Sequence, residues 1–154
     1  MKIAFTGPRH LPETEAAKVE RDLWSFIVNQ EAEWHVGDAP GLDLLIREAA
    51  VNYNLPLVIH EVVHKQRWGF AERSQRMIGA IATSPDSWLY AFPNKLCPEG
   101  CTSKNPFSGH GSGTWGTVAY AKKKNVNIYL FPLVKLQKLP SWLNEEPPKQ
   151  LSLF

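Results

Sequence analysis

The sequence predicts an α/β fold, a mostly parallel sheet of about five strands with helices on both faces. Three observations predict it. Strand-sized apolar runs, most of them ending at Gly or Pro, alternate with longer segments whose apolar residues recur at helical spacing. The longest apolar runs are strand-sized, too short to span a membrane. A length of 154 residues with 44% hydrophobic content suits one domain with a substantial core.

The elements follow in order. Residues 2–6 (Lys-Ile-Ala-Phe-Thr) form a first strand that Gly7-Pro8 ends. A helix over about 13–29 puts Ala16, Val19, Leu23, Phe26 and Ile27 on one face, with Glu13 and Glu15 at its positive N-terminal end. Residues 34–36 form a short second strand, broken at Gly37 to Gly41. The next helix carries Leu42, Leu45, Ile46, Ala49 and Tyr53 inward. Residues 57–59 read as a third strand buried on both faces, and a helix follows over 70–82. A fourth strand at 88–92 stops at Pro93, and 94–112 form a long connection of the kind that is usually functional or mobile. A last helix runs from about 114 to Lys122-Lys123-Lys124, and 127–131 make the fifth strand. The layered result is a Rossmann-like three-layer sandwich over 1–134, with 135–154 a Pro-containing extended tail.

Composition narrows the function. A formal charge of +2 is too small to indicate nucleic-acid binding by itself. Met1-Lys2 runs directly into the first strand, with no room for a secretory leader, so the expected compartment is the cytoplasm. Two cysteines make no disulfide scaffold. Cys97 and Cys101 with His110 offer three candidate ligands at a spacing loose for zinc, so no metal site is assigned and no cofactor is implied.

In open parallel sheets ligands bind beyond the C-terminal ends of the strands. Four unusual segments fall there. Thr6, Gly7 and Arg9 follow the first strand, and Gly37, Asp38, Ala39, Gly41 and Asp43 follow the second. Arg73 lies early in the third helix, bordering its apolar stripe of Phe70, Met77, Ile78 and Ile81, while Arg76 points away. Gly111, Ser112, Gly113 and Thr114 lead into the fourth helix, whose free N–H groups suit an anion. Arg73 is placed to grip a phosphate or carboxylate bidentately. Asp43 either caps the second helix or orders the glycine loop. Trp115 either stacks on a base or packs under the loop, and His35, His60 and His64 satisfy local hydrogen bonds.

The order Thr6-Gly7-x-Arg9, Gly37-x-Ala39-x-Gly41-x-Asp43, Glu72-Arg73 and Gly111-Ser112-Gly113-Thr114 resembles the SLOG superfamily. That is the Rossmann-like group containing DNA-processing protein A and the Lonely Guy phosphoribohydrolases, and the likeness is to its small stand-alone bacterial branch. It covers roughly residues 2–133. It implies a nucleotide or nucleotide-derived ligand, with the Gly-Ser-Gly-Thr turn on a phosphate, and the related proteins often form homodimers. In the phosphoribohydrolases a glutamate that takes part in N-glycosidic cleavage stands three residues past the Thr; here that position is Thr117. No Asp or Glu occurs between Glu99 and Glu145, so Asp38 and Asp43 are the carboxylates left for catalysis. Binding or sensing is therefore expected over hydrolysis of nucleoside 5′-monophosphates. Finally, Gln150, Leu151, Ser152, Leu153 and Phe154 resemble the pentapeptide that docks bacterial polymerases and repair proteins on the β sliding clamp. That likeness implies the clamp as a partner, in a bacterium or bacterial virus; folding back of the three apolar residues onto the domain is the competing expectation.

Overall fold

The structure, a computed structural model, describes residues 1–28, 30–108 and 113–145. Its sheet has five strands: β1 (Lys2–Thr6), β2 (Glu33–Gly37), β3 (Leu57–His60), β4 (Ser87–Ala91) and β5 (Asn127–Leu130). Every neighbouring pair is parallel, in the order β3-β2-β1-β4-β5. The helices α1 (Glu13–Asp22), α2 (Leu42–Asn52), α3 (Gly69–Ala82) and α4 (Gly113–Lys123) make the crossovers. This is the Rossmann-like α/β fold expected from the sequence.

Strand alternation divides the core in two. Ile3, Phe5, Trp34, Val36, Tyr90 and Phe92 pack with Val19, Leu23, Ile27, Leu42 and Ile46 on one face. Ala4, Leu89 and Ala91 meet Met77, Ile78, Ile81, Trp115 and Val118 on the other. The small strand residues of that second face leave room for the fully buried Trp115. Both α2 and α4 stop at an asparagine in the left-handed region, Asn54 (φ 56°) and Asn125 (φ 59°). There Leu55 N–H donates to the Ala50 carbonyl (2.9 Å) and Val126 N–H to that of Ala121 (3.0 Å), closing the last turn of each helix.

Several elements differ from the sequence reading. The first helix becomes a π turn over Leu23–Ile27, which keeps Leu23 and Ile27 buried but leaves Phe26 half-exposed beside Tyr129. Val58 and Ile59 are exposed rather than buried, because β3 is an edge strand with a neighbour on one side only. Tyr53, expected inward, is exposed against Trp24 at the end of α2. Residues 135–145, expected to leave the domain, return to it. Pro140 starts a 3-10 turn, Ser141–Asn144, that buries Trp142 against Trp115. The Trp142 indole N–H donates to the Cys101 carbonyl at 3.0 Å, so this segment fastens the long connection before α4.

The winding order creates the site. The chain builds outward from β1 to β3, then crosses to β4 on the other side of β1. Loops leaving β1 and β4 therefore part at the C-terminal edge and open a crevice between them.

Candidate functional site

The glycines bring the loops of that edge together. A Cβ at Gly7 would overlap the Leu42 side chain, so only glycine lets the β1 loop lie on the start of α2. Gly41 has φ of 74° and sits against the Pro8 carbonyl, which accepts the Leu42 N–H at 3.1 Å. Arg47 fixes the same loop from beneath, donating to the carbonyls of Gly37 (2.9 Å) and Ala39 (3.0 Å).

Three charged side chains meet on this frame. Arg73 reaches across from α3 and places Nη1 2.7 Å from Asp38 Oδ1 and 3.8 Å from Asp43 Oδ2. Its side chain is 11% exposed, and the buried Nε has no hydrogen-bond partner among the described residues. A Cβ at Gly37 would strike both the guanidinium and the Asp43 carboxylate, so this glycine is what lets them meet. Asp43 is buried on the first turn of α2, and its Oδ2 accepts the Ala39 N–H at 3.2 Å. Of the two roles expected for it, it orders the loop; the helix N-cap is Gly41, with no side-chain cap. Desolvation pushes its pKa up to about 6, against the pull of Arg73, the Ala39 N–H and Arg47. Asp38 contrasts with it. Burial would raise its pKa too, but the Val62 N–H (2.9 Å) and Arg73 hold it below the usual carboxylate range.

These groups border a cleft of about 1440 Å³. Thr6, Gly7, Arg9, Gly37, Ala39, Asp43, Arg73, Gly113 and Thr114, all named from the sequence, line it together. Asp38 and Gly41 stand behind the lining, holding Arg73 and the β1 loop. Gly111, Ser112, His110 and the pentapeptide from Gln150 to Phe154 lie outside the described residues. On the far wall the Thr117 hydroxyl donates to the Gly113 carbonyl at 2.8 Å, and the carboxylates among the described lining residues are Glu15 and Asp43.

Other candidates resolve into packing. Trp115 is fully buried with its indole N–H on the Lys95 carbonyl (2.8 Å), so no face of it is open to a base. The Cys101 thiol donates to the Pro106 carbonyl at 3.3 Å, and burial pushes its pKa up to about 12. His35 and His60 face each other, Nδ1 to Nε2 at 2.9 Å, and His35 Nε2 lies 2.7 Å from Glu33. Arg76, expected to point away, pairs with Glu72 and donates to the Glu61 carbonyl. Phe70 was placed on the buried stripe of α3; instead it faces the cleft mouth.

Sequence reasoning missed Arg67, Trp68, Asn94, Lys95 and Phe107, which also line the cleft. Asn94 and Lys95 follow β4 directly, so the strand-end rule that selected the other loops would have selected them. Comparison with protein-family models, with curated proteins and with solved structures finds no match.

Proposed function

We propose that this domain binds or senses a phosphate-bearing nucleotide or nucleotide-derived ligand in the cleft at the C-terminal edge of the sheet, as the resemblance to the SLOG superfamily implies. The observation that carries the proposal is Arg73, a guanidinium with a side chain only 11% exposed that lines the cleft beside Asp38 and Asp43 and whose Nε is unpartnered among the described residues. Asp38 and Asp43 balance the buried charge, and the donors of the planar guanidinium that they leave over suit an anionic ligand in the cleft. The start of α4 supplies a second attraction for phosphate, with Gly113 and Thr114 on the cleft wall. The tail pentapeptide extends the proposal to recruitment by a bacterial sliding clamp, which places the binding function in DNA metabolism.

Calorimetry with a panel of nucleoside mono- and diphosphates tests the binding. The expected result is at least one ligand with micromolar affinity, weakened by about 1.5–3 kcal/mol in Arg73→Met. A folded protein that binds none of them overturns the proposal.

A second reading, a nucleoside 5′-monophosphate phosphoribohydrolase-like N-glycosidase, is favoured by Asp43. A buried carboxyl with a pKa of about 6 at the cleft is poised for proton transfer near neutral pH. Against it, Asp43 already accepts the Ala39 N–H and faces Arg73, and Thr117 holds the position of the family's glutamate. The binding reading predicts no free base released from AMP or CMP; robust release abolished by Asp43→Asn would favour the hydrolase.

A further inference from the structure

The two ends of the cleft are built differently. At the sheet, Arg73 is neutralised by Asp38 and Asp43. Arg9, Arg67 and Lys95 line the cleft as exposed residues and so mark its mouth, and none has a carboxylate within ion-pair distance among the described residues. Two large aromatic rings line the same cleft. Trp68 is 52% exposed and Phe70 is 47% exposed, and both line the cleft. The Arg9 guanidinium lies 4.8 Å from the Phe70 ring centroid.

The local backbone holds the rings there. Gly69 N–H donates to the Gln66 carbonyl (2.9 Å) and Glu72 N–H to that of Trp68 (3.0 Å), so both aromatics sit on the rigid start of α3. A Cβ at Gly69 would run into the His64 carbonyl, which makes the tight entry to the helix dependent on glycine. The Trp68 ring lies 4.5 Å from that of His64 yet stays half-exposed, and large aromatics kept half-exposed in a cleft also lined by cations gain less for folding than for binding. A nucleobase stacks on such rings whatever its identity, and planar guanidinium groups grip phosphate.

We infer that the mouth is a nucleobase and second-phosphate subsite, so that the ligand is a nucleotide with two or more phosphates rather than a monophosphate. The base stacks on Trp68 and Phe70, the mouth cations hold one phosphate, and the inner cleft takes the other. The inference rests on the nucleotide reading above and deepens it. The cleft, at about 1440 Å³, has room for a base and both phosphates.

The test titrates ribose 5-phosphate, AMP, ADP, GMP, GDP and a 5′-phosphorylated tetranucleotide into the parent chain, Trp68→Ala, Trp68→Phe and Arg67→Ala, with circular dichroism to establish folding. Expected in the parent is at least about ten-fold tighter binding of a diphosphate than of its monophosphate. Trp68→Ala weakens base-bearing ligands about ten-fold, leaves ribose 5-phosphate unchanged, and is rescued by Trp68→Phe. Arg67→Ala narrows the gap between diphosphate and monophosphate. Nucleotide binding that is identical in the parent, Trp68→Ala and Arg67→Ala overturns the mouth subsite and leaves the inner site standing. Absence of binding by every probe overturns both. A tetranucleotide that binds ten-fold more tightly than any diphosphate overturns the small ligand in favour of a nucleic-acid end.

Discussion

Replacing Arg73 with methionine keeps the stem and removes the charge, and its effect on stability depends on pH in a way the cleft geometry sets. In the parent, burial raises the Asp43 pKa from 3.8 to about 6 even with the guanidinium 3.8 Å away. The folded state therefore holds the Asp43 proton more tightly than the unfolded chain. As pH rises from about 4 to 6 the unfolded state loses its proton first, so this group costs stability, by about 3 kcal/mol once both states are ionised. Above about pH 7 the cost is constant. Without Arg73 the carboxylate loses its nearest cation, whose attraction holds the pKa down, so the folded pKa rises further. Stability then keeps falling between pH 6 and 8. At pH 5 Asp43 is mostly protonated in both proteins, and the variant loses only the partly exposed Asp38 pair, about 1 kcal/mol or less. At pH 8 it loses about 2 kcal/mol more, the order of an opposite charge at that range. Urea denaturation of parent and variant at both pH values measures this, and the excess should vanish when Asp43→Asn is added to both. A loss of equal size at pH 5 and pH 8 would refute the reasoning, because it would mean that Arg73 and buried Asp43 are not electrostatically linked.

Three further outcomes follow from the same structure. Gly37→Ala drives a methyl group into the guanidinium and the Asp43 carboxylate, so stability should fall by about 1–3 kcal/mol and nucleotide affinity with it; unchanged urea midpoint and affinity would contradict the placement of Arg73. His60 is held neutral: desolvation, then His35, Arg76 and Arg73, lower its pKa from 6.5 to about 4, so the unfolded chain takes up this proton first as pH falls. Stability should drop between pH 6.5 and 4, and His60→Gln should flatten that limb in thermal melts; an identical limb in the variant would exclude His60 as its source. For the tail, a peptide of residues 145–154 should bind a bacterial sliding clamp in a fluorescence titration and lose binding with Leu153→Ala plus Phe154→Ala; no binding at high micromolar peptide would remove the clamp from the proposal.

The fold was legible because it depends on local signals. Gly7-Pro8, Gly37 to Gly41 and Pro93 mark strand ends, and alternation with helix-period segments specifies parallel crossovers. The clustering of the candidate residues was legible for the same reason: Gly7, Gly37, Gly41, Asp43 and Arg73 each sit just past a strand or early in a helix, where the sheet edge gathers them. What the sequence did not carry is lateral position. Val58 and Ile59 look like core residues until β3 is known to be an edge, and strand order is a property of tertiary contacts. The His35–His60 pair needs the register that sets Gly37 opposite His60. Phe70 leaves its expected place on the buried stripe, and Trp115 takes the packing alternative, for a similar reason. Helical phase alone placed Phe70 inward, whereas the alanines of β1 and β4 make the inward space at Trp115. Trp142 was unreadable because Ser141–Asn144 has no periodicity to read; only its contacts with Trp115 and Cys101 hold it.

The most direct test of the central claim is an amide NMR titration of the isotopically labelled chain with ADP. The account expects the largest shifts in the loops that meet at the cleft, at Gly7, Gly37, Ala39 and Thr114, accompanied by the Arg73 Nε–H resonance as that group gains an acceptor. Saturable shifts elsewhere with these positions unmoved, or no shifts at millimolar nucleotide, would contradict it.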